Sequence, residues 1–310
     1  MLTPAPAMSR QDWTILLALS VIWGGSFFFI EVALGSFGPL SLVLVRVAMA
    51  AAFLWLFLAV KRERMRLPTG AATALLILAL LNNVIPFILF AEAQREITGG
   101  LGSILNATTP IWGVIVAHVM TADEKATLGK VVGVALGFAG VAVTMGVGSL
   151  DGIGGSAVAQ LECLGATLCY ALAGVYARRF KAMGVPPVAV ATGQLTAATL
   201  VMLPLVLLFE PPWQTAMPSL EAWAALAGLA LLCTSFAYIL YFRLLASAGA
   251  TNSLLVTFLI PISAILLGAL LLGEQLEPRH FAGMALIGLG LAAIDGRLWA
   301  RVRRRRAVQV

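Results

Sequence analysis

Hydrophobic residues form ten long stretches along the chain, and short polar segments between them carry most of the charge. Each stretch holds about 20 residues, the length at which an α-helix crosses the roughly 30 Å hydrocarbon core of a bilayer. The pattern therefore predicts an all-α integral membrane protein with ten transmembrane helices. The predicted spans are 13–32, 40–60, 70–91, 98–119, 128–147, 157–178, 187–208, 221–242, 250–272 and 279–297.

The ten predicted spans fall into two similar groups of five. Pro110 in span four corresponds to Pro261 in span nine. Glu124 follows the first proline by 14 residues, and Glu274 follows the second by 13. Because each group has an odd number of spans, the two halves must lie in opposite orientations. We therefore expect two inverted five-helix repeats around a central cavity.

The placement of charge predicts how the chain lies in the membrane. Only 11% of the 310 residues are charged and 61% are hydrophobic, whereas soluble domains carry about 25% charged residues. With the N-terminus inside, 17 of the 20 basic residues lie on the cytoplasmic side, as the positive-inside rule requires. This predicts a multi-pass protein of the bacterial inner membrane with both termini cytoplasmic.

The same analysis divides the chain into segments. We predict a cytoplasmic N-terminus at 1–12, a first repeat at 13–147, an outer linker at 148–156, a second repeat at 157–297 and a basic cytoplasmic tail at 298–310. The tail is expected to contact anionic lipid. The net charge of +6 does not indicate a nucleic-acid partner, because the basic residues cluster between spans.

Several short motifs of the sequence resemble those of a known protein family. They are Trp23 to Phe27 in span one, Arg46 in span two, Asn106 to Pro110 in span four, and the Glu124 and Gly273-Glu274 hairpins. Together they resemble the EamA branch of the drug/metabolite transporter superfamily, over essentially the whole chain. The resemblance implies a carrier with a central cavity between two EamA-like repeats, often an exporter of amino acids, drugs or other metabolites. It also implies that the last helix of each half serves in packing or dimer contacts, so we expect a monomer or a homodimer.

Uncharged polar and aromatic residues near the middle of the spans are the candidates for contacting a small-molecule substrate. Asn82 and Asn83 precede Pro86 in span three, a combination that favours a broken helix lining water. For any single candidate, packing or interhelical hydrogen bonding is the alternative. The full set of candidate substrate-binding residues is Trp23, Asn82, Asn83, Asn106, Thr109, Trp112, Tyr170, Gln194, Ser235 and Tyr238.

Four ionisable residues in the spans are candidates for gating or coupling. Arg46 can attract a substrate carboxylate or hold a gate partner, or else extend to the outer interface. Glu31 and Glu162, near the outer ends of spans one and six, can carry a coupling proton, or can be interfacial residues or partners of Arg46. His118, near the inner end of span four, is a candidate proton relay, although a packed or interfacial histidine is more common.

Glycines in the last span of each half predict close helix packing, with a dimer interface as the alternative. They are Gly129, Gly133 and Gly137 in span five, and Gly283, Gly288 and Gly290 in span ten.

These features predict a secondary transporter that works by alternating access. No G-x-x-x-x-G-K-[ST] loop for ATP occurs, and we expect no metal and no cofactor. The expected substrates are neutral or aromatic amino acids and related amphipathic compounds, with export favoured. The alternative is an exporter of drug-like or other metabolites that carries no amino acid. A channel would need a selectivity filter, and an enzyme would need clustered catalytic groups, so both are remote alternatives.

Overall fold

The structure is a computed structural model, and it describes residues 8–63, 65, 67–121, 127–145, 155–214, 216–253 and 256–295. Parts of the predicted organisation lie outside the described residues. These are 1–7 of the N-terminus, Glu124, 148–154 of the outer linker and the basic tail at 298–310.

The described residues form helices in ten successive segments, one for each predicted span. We number these helices α1 to α10. Their bounds are α1 Arg10–Leu34, α2 Pro39–Val60, α3 Ala71–Ala93, α4 Gly99–Met120, α5 Leu128–Met145, α6 Gly155–Ala182 and α7 Pro187–Phe209; α8 runs through Leu220–Ala227, Gly228–Phe236 and Ala237–Ser253, α9 through Val256–Leu267 and Gly268–Leu272, and α10 is Pro278–Asp295.

The helices have the length and composition of membrane spans. Among the described residues, eight helices are long and apolar enough to cross a membrane, and two shorter apolar helices, Leu259–Leu272 and Pro278–Ile294, follow them. The prediction of an all-α, multi-span protein is confirmed. One boundary was wrong: Arg243 marked the end of span eight in the sequence, but α8 continues to Ser253 because Leu244 and Ala248 pack into the core. Span nine therefore begins at Val256 and not at 250.

The contacts between helices have the symmetry of an inverted repeat. α1 packs against α8 and α9, and correspondingly α6 packs against α3 and α4. α2 packs against its equivalent α7, and α5 packs against its equivalent α10. These contacts are preserved when the first five helices are exchanged with the last five, as a pseudo-two-fold axis requires. Among the described residues, three clusters of buried side chains form the core: one around Leu16, Ile104 and Ile260, one around Val47 and Leu195, and a smaller one around Leu75 and Phe180.

The glycine faces of α5 and α10 pack against each other within the chain. A Cβ added to Gly133 would lie 2.5 Å from the carbonyl oxygen of Gly290, and one added to Gly140 would lie 2.7 Å from that of Gly283. Only residues without side chains allow two backbones to approach this closely. The predicted packing role of Gly133, Gly283 and Gly290 is therefore confirmed.

Three helices depart from regular α-helical geometry in the middle of the bundle. α3 contains a π-helical turn at Leu80–Val84, and α8 contains a longer π-helical segment at Gly228–Phe236. α4 is interrupted between Asn106 and Thr109, directly before Pro110. The sequence predicted the broken helix in span three. The structure keeps α3 helical by widening one turn ahead of its proline, and the interruption falls in α4.

Candidate functional site

A hydrogen-bonded network in the bundle core joins three helices that come from both repeats. Asn82 Nδ2 in α3 donates to Gln194 Oε1 in α7 at 3.3 Å and to Tyr238 Oη in α8 at 3.2 Å. Asn83 Nδ2 donates to the same tyrosine oxygen at 3.3 Å. Both asparagines lie on the π-helical turn, and the wider turn lets two adjacent amides reach one hydroxyl. We call Asn82, Asn83, Gln194 and Tyr238 the amide network.

One polar atom of the amide network has no partner. Asn83 is fully buried, and its Oδ1 accepts no hydrogen bond from any described residue. Most buried polar atoms in proteins are hydrogen-bonded, and leaving one unpaired costs about 1–3 kcal/mol. An N–H donor of a bound solute would satisfy this oxygen.

Arg46 in α2 is a buried cation beside the amide network. Only 7% of the residue is exposed, and its Nε donates to Thr234 Oγ1 in α8 at 3.0 Å. The guanidinium carbon lies 3.6 Å from the centre of the Phe87 ring. Tyr170 and Tyr238 lie within electrostatic range of its charge. Among the described residues Arg46 has no carboxylate partner, so its positive charge is available to an anionic group.

Aromatic side chains in the core of the bundle contact Arg46 or one another. Phe87 stacks under Arg46, and Tyr170 lies nearly parallel to Phe90 with ring centres 6.1 Å apart. Trp23 packs against Tyr241 with ring centres 5.4 Å apart. The structure therefore combines one unpaired cation, several amides and aromatic surfaces, which is the combination that holds an amphipathic solute.

Ser235, a candidate substrate-binding residue, and its neighbour Thr234 form hydrogen bonds with different partners on α2. Ser235 was the candidate, yet its hydroxyl donates to the carbonyl oxygen of Ala50 at 3.1 Å and so links α8 to α2. Thr234, one residue earlier, is the residue that reaches Arg46. Both lie in the π-helical segment of α8, where the residues per turn differ from those of an α-helix.

The candidates in α4 lie around its interruption. Thr109 Oγ1 donates to the carbonyl oxygen of Asn106 at 2.8 Å, which satisfies a backbone acceptor left free by the break. Trp112 packs edge to face against Phe138 of α5, with ring centres 5.0 Å apart. The hydrogen bond of Thr109 and the ring contact of Trp112 are thus within α4 or with α5, and no hydrogen bond between Asn106, Thr109 or Trp112 and the amide network is found among the described residues.

The remaining ionisable candidates lie away from Arg46. Glu31 accepts a hydrogen bond from the backbone N–H of Gly99 at 3.3 Å. Glu162 lies within electrostatic range of Glu92. His118 is exposed in the last turn of α4.

The profile of the EamA-like transporter family matches residues 13–146 and 158–294, which are the two halves of the inverted repeat. The chain belongs to the EamA-like transporter family. This EamA-family protein is therefore a multi-pass membrane transporter of the drug/metabolite superfamily, and it is not an enzyme.

Relatives of this EamA-family transporter occur in bacteria and archaea. It is 27% identical over 276 residues to the "Uncharacterized inner membrane transporter YedA" of Escherichia coli K12, which covers 88% of this chain and 86% of the relative. It is 23% identical to the "Uncharacterized transporter YoaV" of Bacillus subtilis, covering 89% and 94%. A solved crystal structure of a protein with 18% identity superposes with a TM-score of 0.67 and covers 95% of this chain and 99% of the other. That likeness supports the fold.

Two residues of the candidate site in this EamA-family transporter, Thr234 and Phe87, were not predicted from the sequence. Thr234 was overlooked because a threonine in an apolar helix is a common packing residue, and its pairing with Arg46 spans 188 positions. Phe87 looked like an ordinary lipid-facing or core residue in span three. A signal was present for Phe87, since it directly follows Pro86 and the two asparagines that formed the predicted site.

Proposed function

We propose that this transporter carries neutral or aromatic amino acids and related amphipathic compounds that bear one carboxylate, in the direction of export. The observation that supports this most strongly is Arg46, a buried cation without a described counter-charge. Removing an arginine from water costs several kcal/mol unless an anion pairs with it. A carboxylate can accept two parallel hydrogen bonds from a guanidinium, which makes it the natural partner.

The rest of a zwitterionic amino acid also has partners at this site. The unpaired Oδ1 of Asn83 is a hydrogen-bond acceptor for the substrate ammonium group. Phe87 and Tyr170 offer aromatic surface to an apolar or aromatic side chain. A phosphorylated substrate fits less well, because its two negative charges would meet a single arginine.

The connection of the two repeats through the amide network supports alternating access. The amide network connects α3 of the first repeat to α7 and α8 of the second, and Arg46 extends it to α2. Motion of one repeat against the other would break or remake these contacts around the bound solute. We place both termini in the cytoplasm of a bacterial cell, because 17 of the 20 basic residues then lie inside. Export is the direction that the resemblance to EamA carriers favours.

Counterflow tests this proposal. Proteoliposomes loaded with an unlabelled amino acid are placed in a trace of the same labelled compound, across a panel of neutral, aromatic and charged amino acids. We expect transient accumulation of neutral and aromatic amino acids, and competition by the free acid but not by its carboxamide.

Three other outcomes would refute parts of the proposal. Accumulation of drug-like compounds with no amino-acid exchange would overturn the substrate class. Entry of label without accumulation above equilibrium would indicate a channel. Equal competition by the free acid and its carboxamide would contradict the proposed recognition of the carboxylate by Arg46.

A further inference from the structure

A second polar site lies at the end of the bundle where α1 ends and α4 begins, outside the amide network. Two carboxyl groups meet there on adjacent backbone N–H groups. Gly99 N–H donates to Glu31 Oε2 at 3.3 Å, and Gly100 N–H donates to Glu274 Oε2 at 2.9 Å. Because the two N–H groups are consecutive, the two carboxyl groups lie next to each other at the start of α4. A carboxylate only accepts hydrogen bonds, so a direct hydrogen bond between the two groups needs a proton on one of them.

Glycines enclose Glu274. A Cβ added to Gly100 would lie 2.9 Å from Glu274 Oε2, and one added to Gly268 would lie 2.5 Å from its carboxyl carbon. A Cβ on Gly99 would lie 3.3 Å from Glu274 Oε1. The absence of side chains on α4 and α9 therefore leaves a notch that the Glu274 carboxyl fills.

A buried amide with an unpaired oxygen lies close to this notch. Gln94 is 6% exposed, and its Nε2 donates to the carbonyl oxygen of Phe27 at 2.9 Å. Its Oε1 has no hydrogen-bond partner among the described residues. A Cβ on Gly99 would lie 3.3 Å from Gln94 Nε2 and 3.3 Å from Glu274 Oε1, so the amide and the acid pair both lie close to Gly99. A carboxylic O–H is the kind of donor that the unpaired oxygen lacks.

The described surroundings supply no cation to neutralise two carboxylates. The other ionisable residues on the elements around the pair are Glu92, Arg95, Glu96, Glu162, Glu277, Arg279 and His280. Arg95 is bound to Glu92 at 3.1 Å and Arg279 to Glu277 at 2.8 Å, both at the surface. His280 Nδ1 accepts a hydrogen bond from the Glu277 N–H. The helix dipole at the start of α4 contributes about half a positive charge. This can stabilise one negative charge on the Glu31–Glu274 pair better than two.

We propose that Glu31 and Glu274 share a single proton and form an acid latch that holds the two repeats together at this end of the transporter. Glu31 belongs to the first repeat and Glu274 to the second, so their O–H···O contact ties α1 to the segment after α9. Loss of the proton to water leaves two adjacent carboxylates, whose repulsion opens the contact. The closed form therefore holds one more proton than the open form, and lower pH at this end favours closure. In the proposed orientation this is the outer end.

Infrared difference spectroscopy on purified protein tests the latch without any substrate. Wild-type protein titrated with acid and base should show the carbonyl stretch of one protonated carboxyl, and the band should be lost in Glu31→Gln and in Glu274→Gln. Glu92→Gln is the matched control, because Glu92 is a surface ion-pair partner at the same end, and it should keep the band. A band that persists in both variants of the pair would overturn the proposal. Glutamine is close in shape to glutamic acid, and size-exclusion profiles identify any variant that does not fold.

Transport gives a second measurement, which rests on the proposed function. With the external pH varied, solute exchange by wild-type protein should change by up to about tenfold per pH unit, the limit for one proton. Glu31→Gln should exchange independently of pH, because its amide donates to Glu274 at every pH. An unchanged pH profile in that variant would contradict the latch. If the infrared band behaves as expected and no amino acid is exchanged, the substrate proposal fails and the latch stands.

Discussion

Replacing Gly133 with alanine tests the close packing of α5 against α10. The new Cβ would lie 2.5 Å from the carbonyl oxygen of Gly290 and 2.6 Å from Ile294 Cγ1, whereas ordinary contacts begin at 3.4 Å. The two helices would have to separate by about 1 Å, and overpacking of this kind costs typically about 1–3 kcal/mol. Because the obstacle includes a backbone carbonyl, no change of rotamer can relieve all of it.

Gly288→Ala is the matched control for this prediction. Gly288 lies in α10, and a Cβ there would meet no atom within 4 Å. Both substitutions gain the same helix propensity, about 1 kcal/mol, so the difference between them isolates the packing cost. Unfolding by SDS in mixed micelles should show Gly133→Ala less stable than Gly288→Ala by about 1–3 kcal/mol. Equal stability of the two variants would refute the close approach of α5 and α10.

Three further substitutions test contacts of the candidate site and a contact at the start of α2. Thr234→Val removes the acceptor of Arg46 Nε, and we expect substrate binding measured by calorimetry to weaken by about 1–3 kcal/mol while expression and folding are retained. Asn82→Ala removes two hydrogen bonds of the amide network, so counterflow should fall severalfold, and unchanged counterflow would contradict its role. Glu210→Ala removes a carboxylate that accepts from two N–H groups at the start of α2. It should lower the free energy of unfolding by about 1 kcal/mol, with Glu210→Gln intermediate.

The sequence predicted the fold well because membrane insertion depends on local composition. Each span is a long, mostly apolar run, and the repeat is visible in matched prolines and glutamates such as Pro110 with Pro261. The one misplaced boundary, at Arg243, arose because a charged residue ends a hydrophobic run without ending the helix. Helix ends of this kind depend on tertiary packing, here of Leu244 and Ala248.

Part of the candidate site was also predicted from the sequence, but the physical reason differs from the one that made the fold predictable. Asn82, Asn83, Gln194 and Tyr238 were found because polar groups in hydrocarbon need partners, and the structure brings these four together. A π-helical segment changes the number of residues per turn, so the residues that share a helix face beyond it are harder to predict from the sequence. Thr234, which lies in the π-helical segment of α8, was not singled out from the sequence.

The contact between Glu31 and Glu274 could not be predicted from the sequence. Both residues were singled out, Glu31 as an ionisable candidate and Glu274 as part of the repeat. Nothing local indicates that two acids 243 positions apart meet on the first turn of α4. That contact arises only when the two repeats pack together, through glycines that leave space for it.

Recognition of a substrate carboxylate by Arg46 is tested most directly by a thermodynamic cycle that combines a variant of Arg46 with a substrate analogue lacking the carboxylate. Binding of a neutral amino acid and of its carboxamide is measured by calorimetry to wild-type protein and to Arg46→Gln. The account predicts that losing the carboxylate weakens binding to wild-type protein by about 1.5–3 kcal/mol, the range for hydrogen bonds to charged groups, and has little effect in Arg46→Gln. The variant should fold at least as stably, because a buried charge without a partner has been removed. Equal losses in both proteins would contradict carboxylate recognition by Arg46.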